Sequence, residues 1–325
     1  MRPTRRAVAV AGLCGLAVWL AVRFGARSLN AVVVPALVAL VAGAIQLVLA
    51  DRPTVRRSRP APGFPDEIRS VELTVEGGDA LSGRVTETVG DGLESSFSSA
   101  KRGLPATIEY DVRLGSRGER RLGPATLKVT DVLGLWTTTY DYPKRTPLLV
   151  YPPLFEVAGA GGALGAPDPI DQRDEFDELR EYVPGDSLRD IHWASSAKRD
   201  DLVVMEFDTA SDVTGLTVAA EAVAGYDDEM AAATASVVTA LLDAGLAVGL
   251  ALPGTEVDRD GGETQRERVL AALARTGPGR VERDADVRVV ADAGGTRVTV
   301  ENREIAFSEL AGPRIEPTAD AGVVS

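Results

Sequence analysis

"TGLTVAAEAVAGYDDEMAAATASVVTALLDAGLAVGLALP", Thr214 to Pro253, changes its hydrophobic period twice. Thr214 to Ala222 reads as a strand, Tyr226 to Gly245 as a helix that stops at a glycine, and Leu246 to Pro253 as a short buried strand. Gly262 to Gly277 repeats the helix pattern with a glycine stop, and Asp286 to Asp292 reads as another strand. Strand, helix, strand, helix, strand is the signature of a parallel α/β sheet. An α/β domain is therefore expected over 201–312, entered through an apolar run, Asp201 to Asp208, and left by a loose tail, 313–325.

Upstream the period is two. Ile68–Glu76, Leu81–Val89, Ala106–Leu114, Ala125–Val132, Leu135–Tyr142 and Pro147–Pro152 alternate apolar and polar residues, and glycine-containing turns separate several of them. Six short strands of this kind predict a β-sandwich domain over 66–152. Residues 153–200 are a connector whose Gly/Ala/Pro-rich part, Val157 to Pro169, reads as a loop. It carries neither a G-x-x-x-x-G-K-[ST] nor a placed G-x-G-x-x-G sequence, so a phosphate-cradling loop is not expected there.

The N-terminal sixty residues differ in charge from the rest. They hold nine arginines against one acid, Asp51, whereas residues 61–325 hold 26 basic and 47 acidic side chains. Two charge-free apolar stretches lie in this basic head, Ala7–Val22 and Ala31–Ala50. As helices they would span about 24 and about 30 Å, so two membrane helices are expected at about 7–23 and 30–50. Arginines number three before the first span, two between the spans and four just after the second. That bias places the N-terminus and the body on the cytoplasmic side of a multi-pass membrane protein. The alternative, a cleaved signal peptide, finds no clear small-x-small site after Val22, and the second span begins within ten residues. Asp51 to Pro65, with four prolines, reads as an extended juxtamembrane linker.

A single cysteine, Cys14, excludes an intramolecular disulfide and a cysteine metal cluster. The acidic body, with only four lysines in the chain, is expected to repel nucleic acid and anionic lipid, and it resembles proteins of extreme halophiles.

The connector's second half is the chemically dense part: "DEFDELREYVPGDSLRDIHWASSAKRDD", Asp174 to Asp201, holds the only histidine, His192, and one of three tryptophans, Trp193. Pro184-Gly185 predicts a turn, after which Asp186 can cap a short helix, Ser187 to Lys198. His192 with Ser195 or Ser196 and Asp186 or Asp190 is the residue set a hydrolase would need. Members three and four apart on one helix, however, rarely converge on one reacting atom. One histidine among irregularly spaced acids lacks the inventory for zinc. Arg180, Arg189 and Lys198 interleave with Glu175, Glu178, Glu181, Asp186 and Asp190, over Phe176, Tyr182 and Trp193. That composition fits a charge-paired belt, either bracing the fold or docking a partner.

The same stretch resembles the signature of the domain of unknown function 58 family, approximately E-F-x-x-L-R-x-Y-x-x-G-D-x-x-R-x-I-x-W-x-x-S/A-A-R/K. Here it is carried by Glu175, Phe176, Leu179, Arg180, Tyr182, Gly185, Asp186, Arg189, Ile191, Trp193, Ser196, Ala197 and Lys198. Ala194 and Asp174 depart from the family pattern, which often has a basic residue after the tryptophan and a glycine before the Glu-Phe pair. The resemblance implies a helical hairpin, a β domain and a von Willebrand factor A-like domain. Such modules often bind Mg²⁺ through D-x-S-x-S, but the corresponding Val218 to Gly225 offers Glu221 with no hydroxyl partner, so no metal and no cofactor is expected. It also implies a non-catalytic adaptor or scaffold working with a MoxR-type AAA+ ATPase and other von Willebrand factor A proteins. An enzyme using the signature and an extracytoplasmic binding protein are the competing expectations.

Overall fold

The computed structural model describes residues 1–25, 30–157, 179–181, 203–205 and 215–316, and the chain divides into two compact units, Met1–Val150 and Tyr151–Ser325. In the first, β1 (Arg2–Pro3) leads into helices α1 (Arg5–Phe24) and α2 (Asn30–Leu49). Then follow β2 (Thr54–Arg57), β3 (Ile68–Glu76), β4 (Ser82–Val89), β5 (Leu93–Ser95), β6 (Ser99–Gly103), β7 (Ala106–Leu114), β8 (Gly118–Thr130), β9 (Trp136–Tyr142) and β10 (Thr146–Val150).

Helix α1 begins where extended Thr4 accepts a hydrogen bond from the Ala7 N–H at 3.3 Å, and it ends at Gly25, whose φ of +69° suits a residue without Cβ. Both helices have the length and composition to cross a membrane. Side chains such as Leu13, Val22, Val38 and Val48 are more than half exposed, so neither helix is the core element of a water-soluble bundle in this unit.

The strands form two antiparallel sheets. One has the order β1-β9-β8-β4-β6 with β10 also paired to β8, and the other the order β2-β3-β7-β5. Alternate residues of β3 (Val71, Leu73, Val75) and β7 (Ile108, Tyr110, Val112, Leu114) share one apolar core with Val85 of β4, Leu127 and Val129 of β8 and Leu148 of β10. This is the period-two pattern expected of a sandwich. Each fully buried Val or Leu stabilises such a core by about 1.5–3 kcal/mol. All six expected strands are present, and four, β1, β2, β5 and β6, are additional. Strand β2 comes from the Pro/Arg-rich linker: Thr54 to Arg57 pair with Glu76 to Leu73, so these residues are extended but are an edge of the sheet and not a free tether.

The second unit contains β11 (Phe155–Val157), β12 (Leu179–Glu181), β13 (Val203–Met205), β14 (Gly215–Ala222), α3 (Asp227–Asp243) and β15 (Ala247–Leu252). It continues with β16 (Thr255–Asp260), α4 (Gly262–Arg275), β17 (Val287–Asp292), β18 (Gly295–Val300), β19 (Arg303–Ala306), α5 (Phe307–Leu310) and β20 (Ala311–Arg314). The main sheet runs β16-β15-β14-β17-β18-β19. Only β14 with β15 and β14 with β17 are parallel. The remaining pairs are antiparallel, which corrects the expectation of a wholly parallel sheet. The physical cause is two kinds of tight turn. Pro253-Gly254, with Gly254 at φ +75°, folds β16 back on β15, and Glu301-Asn302, at φ +45° and +74°, makes a two-residue hairpin between β18 and β19.

Helix α3, with Met230, Ala231, Ala233, Ala235, Val237 and Leu241 buried, packs against β14, β15 and β17, and α4 lies beside it. Strand β13, expected to open the α/β sheet, pairs instead with β12 in a separate two-stranded piece. Pro313 and Arg314, expected in the tail, lie in β20 opposite β11.

Candidate functional site

Of the thirteen signature residues, Leu179 and Arg180 lie on β12, opposite Met205 and Val204 of β13. Glu175, Phe176, Tyr182, Gly185, Asp186, Arg189, Ile191, Trp193, Ser196, Ala197 and Lys198 lie outside the described residues, as do His192, Asp190, Ser195 and the expected helix Ser187 to Lys198. Glu221, weighed above as a metal ligand, accepts a hydrogen bond from the Val281 N–H at 3.0 Å and faces Arg288 at 3.9 Å.

The described residues instead build a site in the first unit, where the apolar hairpin meets the β sheets. It begins at the turn Asp131 to Trp136 between β8 and β9. Asp131, 1% exposed, accepts from the Trp136 N–H at 2.5 Å through Oδ1 and from the Leu133 N–H at 3.1 Å through Oδ2. Its own carbonyl accepts from the Gly134 N–H at 3.0 Å. The turn is therefore shaped by one buried carboxylate. It holds the hairpin at both helices: the Thr4 N–H donates to the Leu135 carbonyl at 2.8 Å and the Thr4 hydroxyl to the Gly134 carbonyl at 2.7 Å. On α2, the Trp136 indole N–H donates to the Leu40 carbonyl at 2.8 Å. Gln46 donates to the Ala80 carbonyl at 3.3 Å and accepts from the Val132 N–H at 3.4 Å. Gly43 makes the approach possible, since a Cβ there would stand 2.9 Å from Asp131 Oδ2 and 3.3 Å from the Trp136 ring.

Strand β9 runs from this grip alongside the end of α2. Its last residue, Tyr142, donates its hydroxyl to the Pro53 carbonyl, and Arg52 sits 5.4 Å from the centres of both the Tyr140 and Tyr142 rings.

Next to Tyr142 opens a cavity of about 330 Å³ lined by Val55, Arg56, Arg57, Arg59, Ala125, Tyr142, Lys144 and Thr146. Its floor is Arg57, whose side chain is 6% exposed and whose Nε stands 2.6 Å from Oε1 of Glu87, itself 1% exposed. Arg57 Nη1 donates to the Thr146 hydroxyl at 3.2 Å and to the Lys144 carbonyl at 3.5 Å. Gly123, at φ +93°, leaves room for the guanidinium, because a Cβ there would lie 2.8 Å from Arg57 Nη2. Behind the pair, Glu87 Oε2 and Tyr110 Oη are buried with no hydrogen-bond partner among the described residues. Burial, and then the charge on Glu87, push the Tyr110 phenol well above the usual tyrosine range. Among the described residues, no carboxylate lines the cavity itself.

Sequence reasoning counted Arg52, Arg56, Arg57 and Arg59 only as positive charge after the second span. The signal it left unused is Glu87, which shares the inward register of Val85 in "LSGRVTETV": an acid on a core face needs a buried cation.

Residues 178–310 match the family model described as "Protein of unknown function DUF58". "Uncharacterized protein YeaD" of Bacillus subtilis is 28% identical over 159 residues, which cover 46% of this chain and 40% of that protein's length. Among solved structures, the chain is similar to WR4, a C. elegans MSP family member, at 9% identity and a TM-score of 0.21, covering 30% of this chain and 96% of that one. It is also similar to the E. coli chaperone DraB, at 10% identity and a TM-score of 0.22, covering 41% of this chain and 66% of that one. From β12 to α5, then, this chain is similar to the DUF58 proteins of unknown function.

Proposed function

We propose that this chain is a membrane-anchored, non-catalytic scaffold of the DUF58 family that holds an acidic body at the cytoplasmic face of a bilayer and works with a MoxR-type AAA+ ATPase. The observation that carries the anchoring is the grip of the Asp131–Trp136 turn on both apolar helices. A cleaved leader is not bonded into the protein it precedes, whereas here Thr4, Leu40, Gln46 and the buried Leu47 belong to the first unit's hydrogen bonds and core. The arginine bias around the two helices supports a cytoplasmic body. The partnership with an ATPase rests on the family resemblance alone. A von Willebrand factor A-like second unit is supported by the parallel trio β15-β14-β17 with α3 packed on it, and limited by the antiparallel strands at both edges.

The test is cross-linking in intact membranes followed by identification of the captured proteins. Recovery of an AAA+ ATPase that is lost on charge reversal at Arg180 and Arg189, with the chain still folded, supports the scaffold reading. Recovery of the chain from the alkaline-wash supernatant, without its membrane, sinks the anchoring. Protection of the body from protease added to inside-out vesicles sinks the orientation.

A further inference from the structure

We infer that the basic cavity beside Tyr142 binds the phosphate of an anionic phospholipid headgroup, and that this fixes the height of the β sheets above the bilayer. The inference rests on the anchoring proposed above. Four cations line the cavity, Arg56, Arg57 and Arg59 from the arginine-rich segment after α2 and Lys144 from the turn between β9 and β10. Glu87 neutralises Arg57 and Glu76 stands 3.6 Å from Arg56. Arg59 and Lys144 make no ion pair among the described residues, so the site keeps two uncompensated positive charges. Its geometry is preset. Arg57 is held on three sides, by Glu87, Thr146 and the Lys144 carbonyl, with Gly123 leaving space for the fork, so little ordering is left for a ligand to impose. The Thr146 hydroxyl accepts from Arg57, which leaves its own proton to donate.

Height selects a lipid source over a soluble phosphate. Strand β9 is pinned to α2 at Trp136–Leu40 and to the chain just after α2 at Tyr142–Pro53. Tyr142 lines the cavity, and Pro53, whose carbonyl accepts its hydroxyl hydrogen bond, stands four residues past Leu49, the last residue of α2, so the cavity opens next to the apolar end of the span, where phospholipid headgroups lie. Tyr142 and Val55 supply an apolar flank on the same wall, and Arg52, stacked on Tyr140 and Tyr142, adds positive charge at that height.

The full chain, extracted in mild detergent, is titrated with phosphatidylglycerol, phosphatidylcholine and inorganic pyrophosphate, and bound lipid is counted by native mass spectrometry. Phosphatidylglycerol is expected to bind at least ten-fold more tightly than phosphatidylcholine and to be displaced by pyrophosphate. The double variant Arg59→Ala/Lys144→Ala, at two exposed positions outside the core, is expected to lose at least ten-fold in phosphatidylglycerol affinity while its unfolding temperature is unchanged. Equal retention of both lipids, or undiminished phosphatidylglycerol binding by the double variant, overturns the inference. Pyrophosphate binding that depends on Arg59 and Lys144 without any preference between the lipids overturns the headgroup assignment in favour of a soluble phosphate. An alkaline wash of native membranes, read separately, reports on anchoring, so its failure is distinguishable from failure of the cavity.

Discussion

Glu87 and Arg57 face each other inside a protein core, at 1% and 6% side-chain exposure, and breaking the pair costs more than forming it gains. Two charges taken out of water together regain little over two apolar groups, but one charge left behind has no compensation. Glu87→Ala is therefore expected to lower stability by about 3–5 kcal/mol, and Arg57→Met/Glu87→Leu to recover most of that loss, as read from thermal unfolding of the full chain in detergent. An equal loss in the single and double variants would show that shape and not charge holds this site. Tyr110 extends the argument to pH. Burial and the Glu87 charge keep its phenol protonated in the fold, whereas in the unfolded chain it ionises near pH 10, about the usual tyrosine value. The folded state then holds a proton that the unfolded state has lost, so stability is fully present below about pH 10 and declines as pH rises above it. Unfolding temperatures between pH 8 and 11 should fall less steeply in Tyr110→Phe than in the natural chain, and identical slopes would place the alkaline sensitivity elsewhere.

Among the elements, those with a long period and a clean stop were legible in the sequence. Helix α3, expected over 226–245, runs Asp227–Asp243, and α4, expected over 262–277, runs Gly262–Arg275. The glycines that end the patterns mark these limits because the chain leaves helical geometry there. The reversals were not legible. "TEVDRD" carries one apolar residue, Val257, and no alternation that marks a strand, yet it is strand β16 because β15 offers it a free edge. Tertiary pairing, absent from any local pattern, decided that. The same edge shows what α4 does. Between Val248 and Leu250 the β15–β16 register shifts, and Gln265, wholly buried on α4, donates to the Val248 and Asp258 carbonyls at 2.7 Å each. A glutamine in "GETQRERVLAALAR" looks like part of a solvated face, and only the irregular strand pair explains its burial. Gln265→Ala removes both donors and leaves a void, for an expected loss of about 2–4 kcal/mol in guanidinium unfolding. A change under about 0.5 kcal/mol would mean the carbonyls find other donors. The signature that pointed to the family was legible as composition, but apart from Leu179 and Arg180 its residues lie outside the described structure, so its chemistry gains no geometry from the fold.

At the scale of the first unit, the contacts of α2 constrain where the sheets stand relative to lipid. If α2 crosses the bilayer as far as Leu49, then Leu40, which the Trp136 indole touches, is about 14 Å below that end, and the Asp131–Trp136 turn lies beside the last turns of the span and not above them. A turn of ordinary surface composition would be costly there. This one points Val132 and Leu133 outward at 66% and 51% exposure, pairs its indole N–H with the Leu40 carbonyl and satisfies Asp131 through the Leu133 and Trp136 N–H groups. The exposed side chains of α2 at the same level, Val41, Ile45 and Val48, continue the apolar surface. The turn is therefore expected to dip into the bilayer as a third point of attachment. Cys14 is the chain's one cysteine, so single spin labels can be placed in a Cys14→Ser background at Leu133, at Ile45 and at Lys101. In phosphatidylglycerol-containing vesicles, the labels at 133 and 45 should collide freely with oxygen and be shielded from a water-soluble nickel chelate, and the label at 101 should behave in the opposite way. A water-like label at 133 beside a lipid-like label at 45 would leave the hairpin in the membrane and lift the turn out of it. Water-like labels at both would remove the anchor altogether. The two helices would then need a protein partner to cover an apolar surface too extensive for a solvated monomer.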